Sequence, residues 1–191
     1  TNCGFGCNIS PKIELLSRFT SAQSTLSLND TTVNKFEKNK LINNIFGNSI
    51  KNTFKTFNLN FTEDDNQIQS VASHNGYEKK FGCVVERKIL IEKNTNDLKG
   101  SDKIVKKKDG KPLAYSLRFH LYPGLTAVKT MGGNSALIQI AKNKSLILSV
   151  KDEKLFLEKS VFLAGNKILD NTCVTVSGNL VNKDKIIHWE I

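Results

Sequence analysis

A few side chains in this 191-residue chain could move a proton near neutral pH or grip an anion, and they fall into short strings. His74-Asn75-Gly76-Tyr77 puts an imidazole and a phenol three residues apart. The imidazole titrates near neutrality; the phenol serves as acid or base only if cationic neighbours lower its pKa from about 10. Arg118-Phe119-His120 sets a guanidinium and an imidazole on one face of a strand, two residues apart. Arg87 follows Glu86 in an apolar run. Gln23 stands in Ser21-Ala22-Gln23-Ser24-Thr25-Leu26, at the mouth of a short strand that stops at Asn29-Asp30. Its amide donates and accepts hydrogen bonds but does not titrate. Each string also has a structural reading. His-Asn-Gly-Tyr makes a good turn with a buried aromatic. Arg87 fits a half-buried ion pair with Glu86 or a neighbouring acid, and His120 a satisfied packing histidine.

Other chemistries leave no signature. There is no Gly-x-Ser-x-Gly, no catalytic-cysteine context and no glycine-rich phosphate loop before a helix. His74, His120 and His188 are far apart, and no Cys-x-x-Cys or His-x-His pair suggests a metal. The formal charge of +10 comes from 25 Lys and only 3 Arg, beside 21 Asn. Nucleic-acid readers lean on Arg for bidentate contacts, so this surplus does not point to nucleic acid. It suits an acidic ligand, or a merely solvated Lys-rich face. Cys83 and Cys173 lie in apolar runs and read as buried thiols; Cys3 and Cys7 are close enough to pair, but nothing in the spacing demands it. No apolar run approaches the roughly 20 residues of a membrane span.

The elements that must position these residues are strands. Short runs rich in Val, Ile, Thr and Phe cover Ser24–Leu28, Asn52–Asn60, Asn66–Ser73, Gly82–Glu92, Leu98–Val105 and Ala114–Leu121. Six more cover Thr126–Thr130, Ser135–Ala141, Ser145–Val150, Leu155–Leu163, Thr172–Ser177 and Lys185–Glu190. Turn signals such as Asp109-Gly110 and Gly132-Gly133-Asn134 separate them, which predicts an all-β antiparallel sandwich or barrel. Val33 to Phe46 carries an imperfect helical period and reads as an excursion between strands. No internal boundary is visible, so residues 1–191 read as one domain. If Leu117, Phe119 and Leu121 face the core, Arg118 and His120 face outward.

Taken in order, the strings resemble the C-terminal β-sandwich domain of the heparinase II/III-like proteins of bacteria. The resemblance rests on Cys3-Gly4, Ala22-Gln23-Ser24-Thr25-Leu26 with Asp30, His74-Asn75-Gly76-Tyr77, Phe81-Gly82 and Glu86-Arg87. It continues through Arg118-Phe119-His120-Leu121-Tyr122-Pro123, Glu158-Lys159-Ser160-Val161-Phe162 and Trp189, nearly end to end. It implies a polysaccharide-lyase sandwich and a part in β-elimination of uronic-acid-containing glycans, in which a base takes the C5 proton and an acid protonates O4. It also implies an N-terminal α-helical toroid as partner, absent from these residues, so the chain reads as a fragment inactive in isolation. The cell envelope or periplasm is the implied compartment.

The resemblance makes His74 and Tyr77 the candidate catalytic pair, and Gln23, Arg87, Arg118 and His120 candidate contacts to an acidic polysaccharide. Asp30 and His74 would be two ligands of a divalent metal. Gln23 departs from the pattern, which has His there; proton transfer at that position is lost, while binding of a carboxylate or hydroxyl is not. The alternative to a lyase domain is a non-catalytic module that binds acidic glycans or docks on another domain.

Overall fold

A computed structural model describes residues 1–181 and 183–191. The chain opens with β1 (Gly4–Phe5), α1 (Pro11–Ser17), a 3-10 turn at Thr20–Ala22 and β2 (Leu26–Leu28). β3 (Lys35–Phe36), α2 (Lys40–Phe46) and β4 (Ile50–Asn52) form an excursion. The main body follows: β5 (Thr56–Glu63), β6 (Gln67–His74), α3 (Glu78–Phe81), β7 (Cys83–Glu92), β8 (Leu98–Lys106) and β9 (Leu113–His120). It closes with β10 (Thr126–Lys129), β11 (Ser135–Ala141), β12 (Lys144–Val150), β13 (Leu155–Ala164), β14 (Lys167–Leu180) and β15 (Lys185–Glu190).

Two sheets make the sandwich. One has the order β1-β13-β14-β9-β2, the other β10-β11-β12-β15-β8-β7-β6-β5, and β3 pairs β4 separately. Pairing is antiparallel except between β1 and β13. The core lies between the sheets. Leu26, Leu28, Leu117, Val174 and Val176 come from the first sheet, and Val85, Ile104, Leu148 and Ile187 from the second; all are buried in one cluster. Burial of alternate residues is what period-two apolar patterning requires of a strand with one wet face.

All twelve anticipated strands are present; Ser135–Ala141 and Lys185–Glu190 keep their ends and the others shift theirs. β14 is much longer than Thr172–Ser177, because Gly165 at φ 65° turns β13 directly back into a hairpin that starts at Lys167. The helical excursion shrinks to α2, whose Asn39 side chain caps Leu41 N–H at 3.0 Å. Ahead of it Lys35 and Phe36 pair with β4 instead of joining the helix. α1 was not anticipated. Its signal is Ser10-Pro11: the Ser10 hydroxyl accepts Ile13 N–H at 3.2 Å, and proline starts the helix.

One glycine decides how β8 and β15 pack. Gly100 pairs with Trp189, and a Cβ there would sit 2.2 Å from the indole ring. Gly100→Ala must therefore displace Trp189 or the strand. Chemical denaturation is expected to show a loss of about 1–3 kcal/mol, as for other overpacked cores.

Candidate functional site

Arg87 and Asp102 are the centre of the polar interior. They face each other across β7 and β8. Asp102 is completely buried, and Arg87 grips it with both arms of the fork, Nε to Oδ1 at 2.9 Å and Nη2 to Oδ2 at 3.1 Å. The indole N–H of Trp189 donates to the same Oδ2 at 2.9 Å. Arg87 Nη1 donates outward to the carbonyl of Ser24 at 2.7 Å. Arg87 is thus a structural ion pair whose partner is Asp102 rather than Glu86, and its free corner holds the segment that contains Gln23.

Gln23 caps a helix. Its Nε2 donates to the carbonyl of Ser17, the last residue of α1, at 2.9 Å. That carbonyl has no partner inside the helix, so the amide supplies one. The Ser24 hydroxyl accepts the backbone N–H of His120 at 2.9 Å and donates to the Thr1 carbonyl. The stretch around Gln23 is therefore fixed on three sides.

His120 corrects one expectation. Its strand does present Leu117 and Phe119 inward, with the Phe119 ring 5.2 Å from that of Trp189. The opposite face, however, is covered by the first two dozen residues, and His120 is buried rather than outward-facing. Its Nε2 lies 3.0 Å from the Ser21 carbonyl and Nδ1 3.2 Å from the Ser160 hydroxyl. A carbonyl only accepts, so Nε2 carries the proton and Nδ1 accepts from Ser160. Burial pushes the imidazole below its ordinary pKa, and nearby Arg118 adds to the shift while contact with Ser21 opposes it.

Arg118 is largely covered, side chain 16 % exposed, and splits its guanidinium between the Ser27 hydroxyl and Oδ1 of the exposed Asp30, both at 2.8 Å. Asp30 reaches this pairing from a left-handed backbone at φ 46°.

Tyr77 reaches the turn after β2, and His74 packs on it. Their rings are 5.8 Å apart, with Phe54 against the far side of His74 at 5.2 Å. Tyr77 is 1 % exposed and its hydroxyl donates to the Thr31 carbonyl at 3.1 Å. Burial pushes the phenol up to about 12, which outweighs the hydrogen bonds and Arg118 that act the other way. A phenol so placed is held protonated, the reverse of what a general base needs. His74 Nδ1 accepts Gly76 N–H at 3.2 Å, leaving Nε2 with the proton. Burial, then the charge of Arg87, lower its pKa.

The structure brings the seven expected residues together in two groups. Gln23, Arg87 and His120 meet at Ser24; Asp30, Arg118 and Tyr77 meet at the turn after β2, with His74 packed on Tyr77. Asp30 and His74 do not form a metal donor set. Arg118 occupies the Asp30 carboxylate, Gly76 takes one His74 nitrogen, and among the described residues no three His, Cys, Asp or Glu side chains converge on a common point. Sequence reasoning missed Asp102, Trp189 and Ser24 as partners. The available signal was Asp102 two residues before inward-facing Ile104, an acid in a core register. All four cysteines are free, Cys7 exposed and the other three buried.

The fold defines a class, the all-β antiparallel sandwich. Similarity appears in solved structures: heparan sulfate lyase HepC from Pedobacter heparinus (TM-score 0.73, 13% identity, 97% of this chain and 26% of that one). Heparinase III is similar too (TM-score 0.65, 14% identity, 95% of this chain and 24% of that one). This chain thus spans about a quarter of the length of those proteins. No curated protein matches it in sequence. The family model "Heparinase II/III-like, C-terminal" matches residues 1–190, and the chain belongs to that family.

Half-buried His74 and buried His120 both have folded-state pKa values below the ordinary 6.5. The unfolded chain therefore takes up their protons first as pH falls. Their stabilising contribution is complete above 6.5 and is lost progressively below it, down to the folded pKa values. Urea midpoints are expected to drop between pH 7 and 5.5, with each histidine contributing at most about 1.4 kcal/mol per pH unit. The His74→Gln/His120→Gln double variant is expected to show a flatter profile over the same window.

Proposed function

We propose that this chain is the C-terminal β-sandwich domain of a heparinase II/III-like polysaccharide lyase. It supports β-elimination of uronic-acid-containing glycans by closing over the cleft of an α-helical toroid, and has no turnover in isolation. One observation carries the second half of this reading. The polar side chains of the Gln23 stretch are committed to protein partners: Gln23 to α1, Arg87 to Asp102 and Ser24, His120 to Ser21 and Ser160. β-Elimination needs a base on the C5 proton and donors on the uronate carboxylate. A stretch built of Gln23 and a caged His120 supplies a rigid wall and not a base. The family's place in envelope glycan breakdown suggests a cell-envelope or periplasmic location for the parent protein.

A domain-docking role in that parent protein has separate support. Leu41, Ile45 and Phe46 on α2, and Leu59 and Phe61 on the edge strand β5, are 64–74 % exposed. Large exposed apolar side chains on a short helix and on a sheet edge fit surfaces covered by another domain.

Absorbance near 232 nm reports the unsaturated uronate that elimination creates. With a panel of acidic polysaccharides, neither the wild-type chain nor Gln23→His is expected to raise it. A rise with wild type would show a complete site without the toroid and overturn the reading. Binding to the same panel separates a glycan-holding wall from a docking domain.

A further inference from the structure

Among the described residues, five lysines at one end of the sandwich form no ion pair, and Lys80 among them reaches the Asp30–Arg118 turn. α3 carries Lys79 and Lys80. Its last turn ends at Gly82, in a left-handed backbone at φ 65°, and the Gly82 carbonyl accepts Lys107 N–H at 2.8 Å. A Cβ on Gly82 would stand 3.1 Å from the Cβ of Lys108. The helix end is therefore pressed against the turn that follows β8, where Lys107, Lys108 and Lys111 are exposed. Among the described residues none of these five makes an ion pair with a carboxylate. The nearby Asp184 is taken up by Lys106 N–H at 2.9 Å and Lys103 at 3.9 Å.

The cluster connects to the candidate site by direct contacts. Lys80 Nζ lies 3.2 Å from the Thr31 hydroxyl and 5.0 Å from the Phe81 ring centre. The Thr31 carbonyl accepts the Tyr77 hydroxyl, and next to Thr31 is Asp30, bound to Arg118. A line of lysines thus runs from Lys80, beside the Asp30–Arg118 pair, through Lys79 to the turn that carries Lys107, Lys108 and Lys111. Glu78 on α3 and Asp109 in the turn offset only part of this charge, five lysines against two acids, and the surplus like charge costs free energy that a bound polyanion relieves. Lysine is a mobile point charge on a flexible stem, so such a line suits an anion repeated along a polymer better than one planar group read by a fork.

We propose that this line is an extended subsite for the acidic polysaccharide, holding successive carboxylates of the chain as it leaves the cleft. The proposal rests on the glycan reading above and adds to it where the polymer runs. Its test is affinity for short and long oligogalacturonates against salt concentration. Wild type is expected to hold the long oligomer tighter than the short one, with the steeper salt dependence. Substituting Lys79, Lys80, Lys107, Lys108 and Lys111 by Gln is expected to weaken the long oligomer about tenfold at low salt and leave the short one nearly unchanged. A control with the same charge change at the exposed Lys12, Lys142, Lys144, Lys159 and Lys167 is expected to keep the preference for length.

Equal losses in the two variants would overturn the line in favour of diffuse charge. A wild type that binds both oligomers equally would overturn the line and leave the glycan reading standing; one that binds neither would overturn both. Tighter binding of single-stranded DNA through the same five lysines would overturn the assignment to a glycan.

Discussion

The carboxylate of Asp102 has no contact with water, and the arrangement of the site follows from how it is satisfied. Taking a carboxylate out of water costs several kcal/mol unless opposite charge and hydrogen bonds replace the solvent. Arg87 supplies the charge through two hydrogen bonds, and Trp189 supplies a third from the C-terminal strand. Three strands, β7, β8 and β15, are fixed in register by one acidic group. Gly100 is the concession that lets the indole lie flat enough to reach it. Because Arg87 has a further N–H to place, the network extends across the sandwich to Ser24, and through Ser24 to His120 and Thr1. The position of the Gln23 stretch is thus a consequence of core electrostatics and not of loop sequence alone.

This explains why a titratable residue is not needed at position 23 for the local structure to hold. Gln23 uses its amide to close the end of α1, and a neutral hydrogen-bonding group is sufficient for that. The surfaces that remain for function are then the outer ones: the Asp30–Arg118 turn, the lysines beside it and the exposed apolar groups of α2 and β5.

Strands, their order along the chain and the family resemblance were legible in the sequence, because alternation and turn residues such as Asp109-Gly110 act locally. The roles of single polar residues were legible only in part. Arg87 reads as a structural ion-pair residue from its place in an apolar run, but its partner Asp102 is fifteen positions away and is chosen by strand pairing. His120 is on the face its spacing gives, yet nothing in that spacing shows that the first two dozen residues cover that face. Tyr77 reads as a buried aromatic from its turn, whereas the direction of its pKa shift depends on burial beneath the turn at Thr31. The expectation for Val33 to Phe46 held for its second half, where α2 forms over Lys40–Phe46; in the first half an imperfect period does not outweigh the pairing of β3 with β4.

The most direct measurement is amide hydrogen exchange on wild type and the Arg87→Met/Asp102→Asn double variant, with global stability measured in parallel. The variant keeps an amide oxygen to accept the Trp189 N–H and removes both charges together, which avoids leaving one buried charge unpaired. If the ion pair holds the Gln23 stretch, protection at the Gln23 and Thr25 amides, which bond to Thr20 and Gln23 in wild type, falls while that of β11 and β12 is retained. Unchanged protection at Gln23 and Thr25 would contradict the account and reduce Arg87 and Asp102 to a local element of the core.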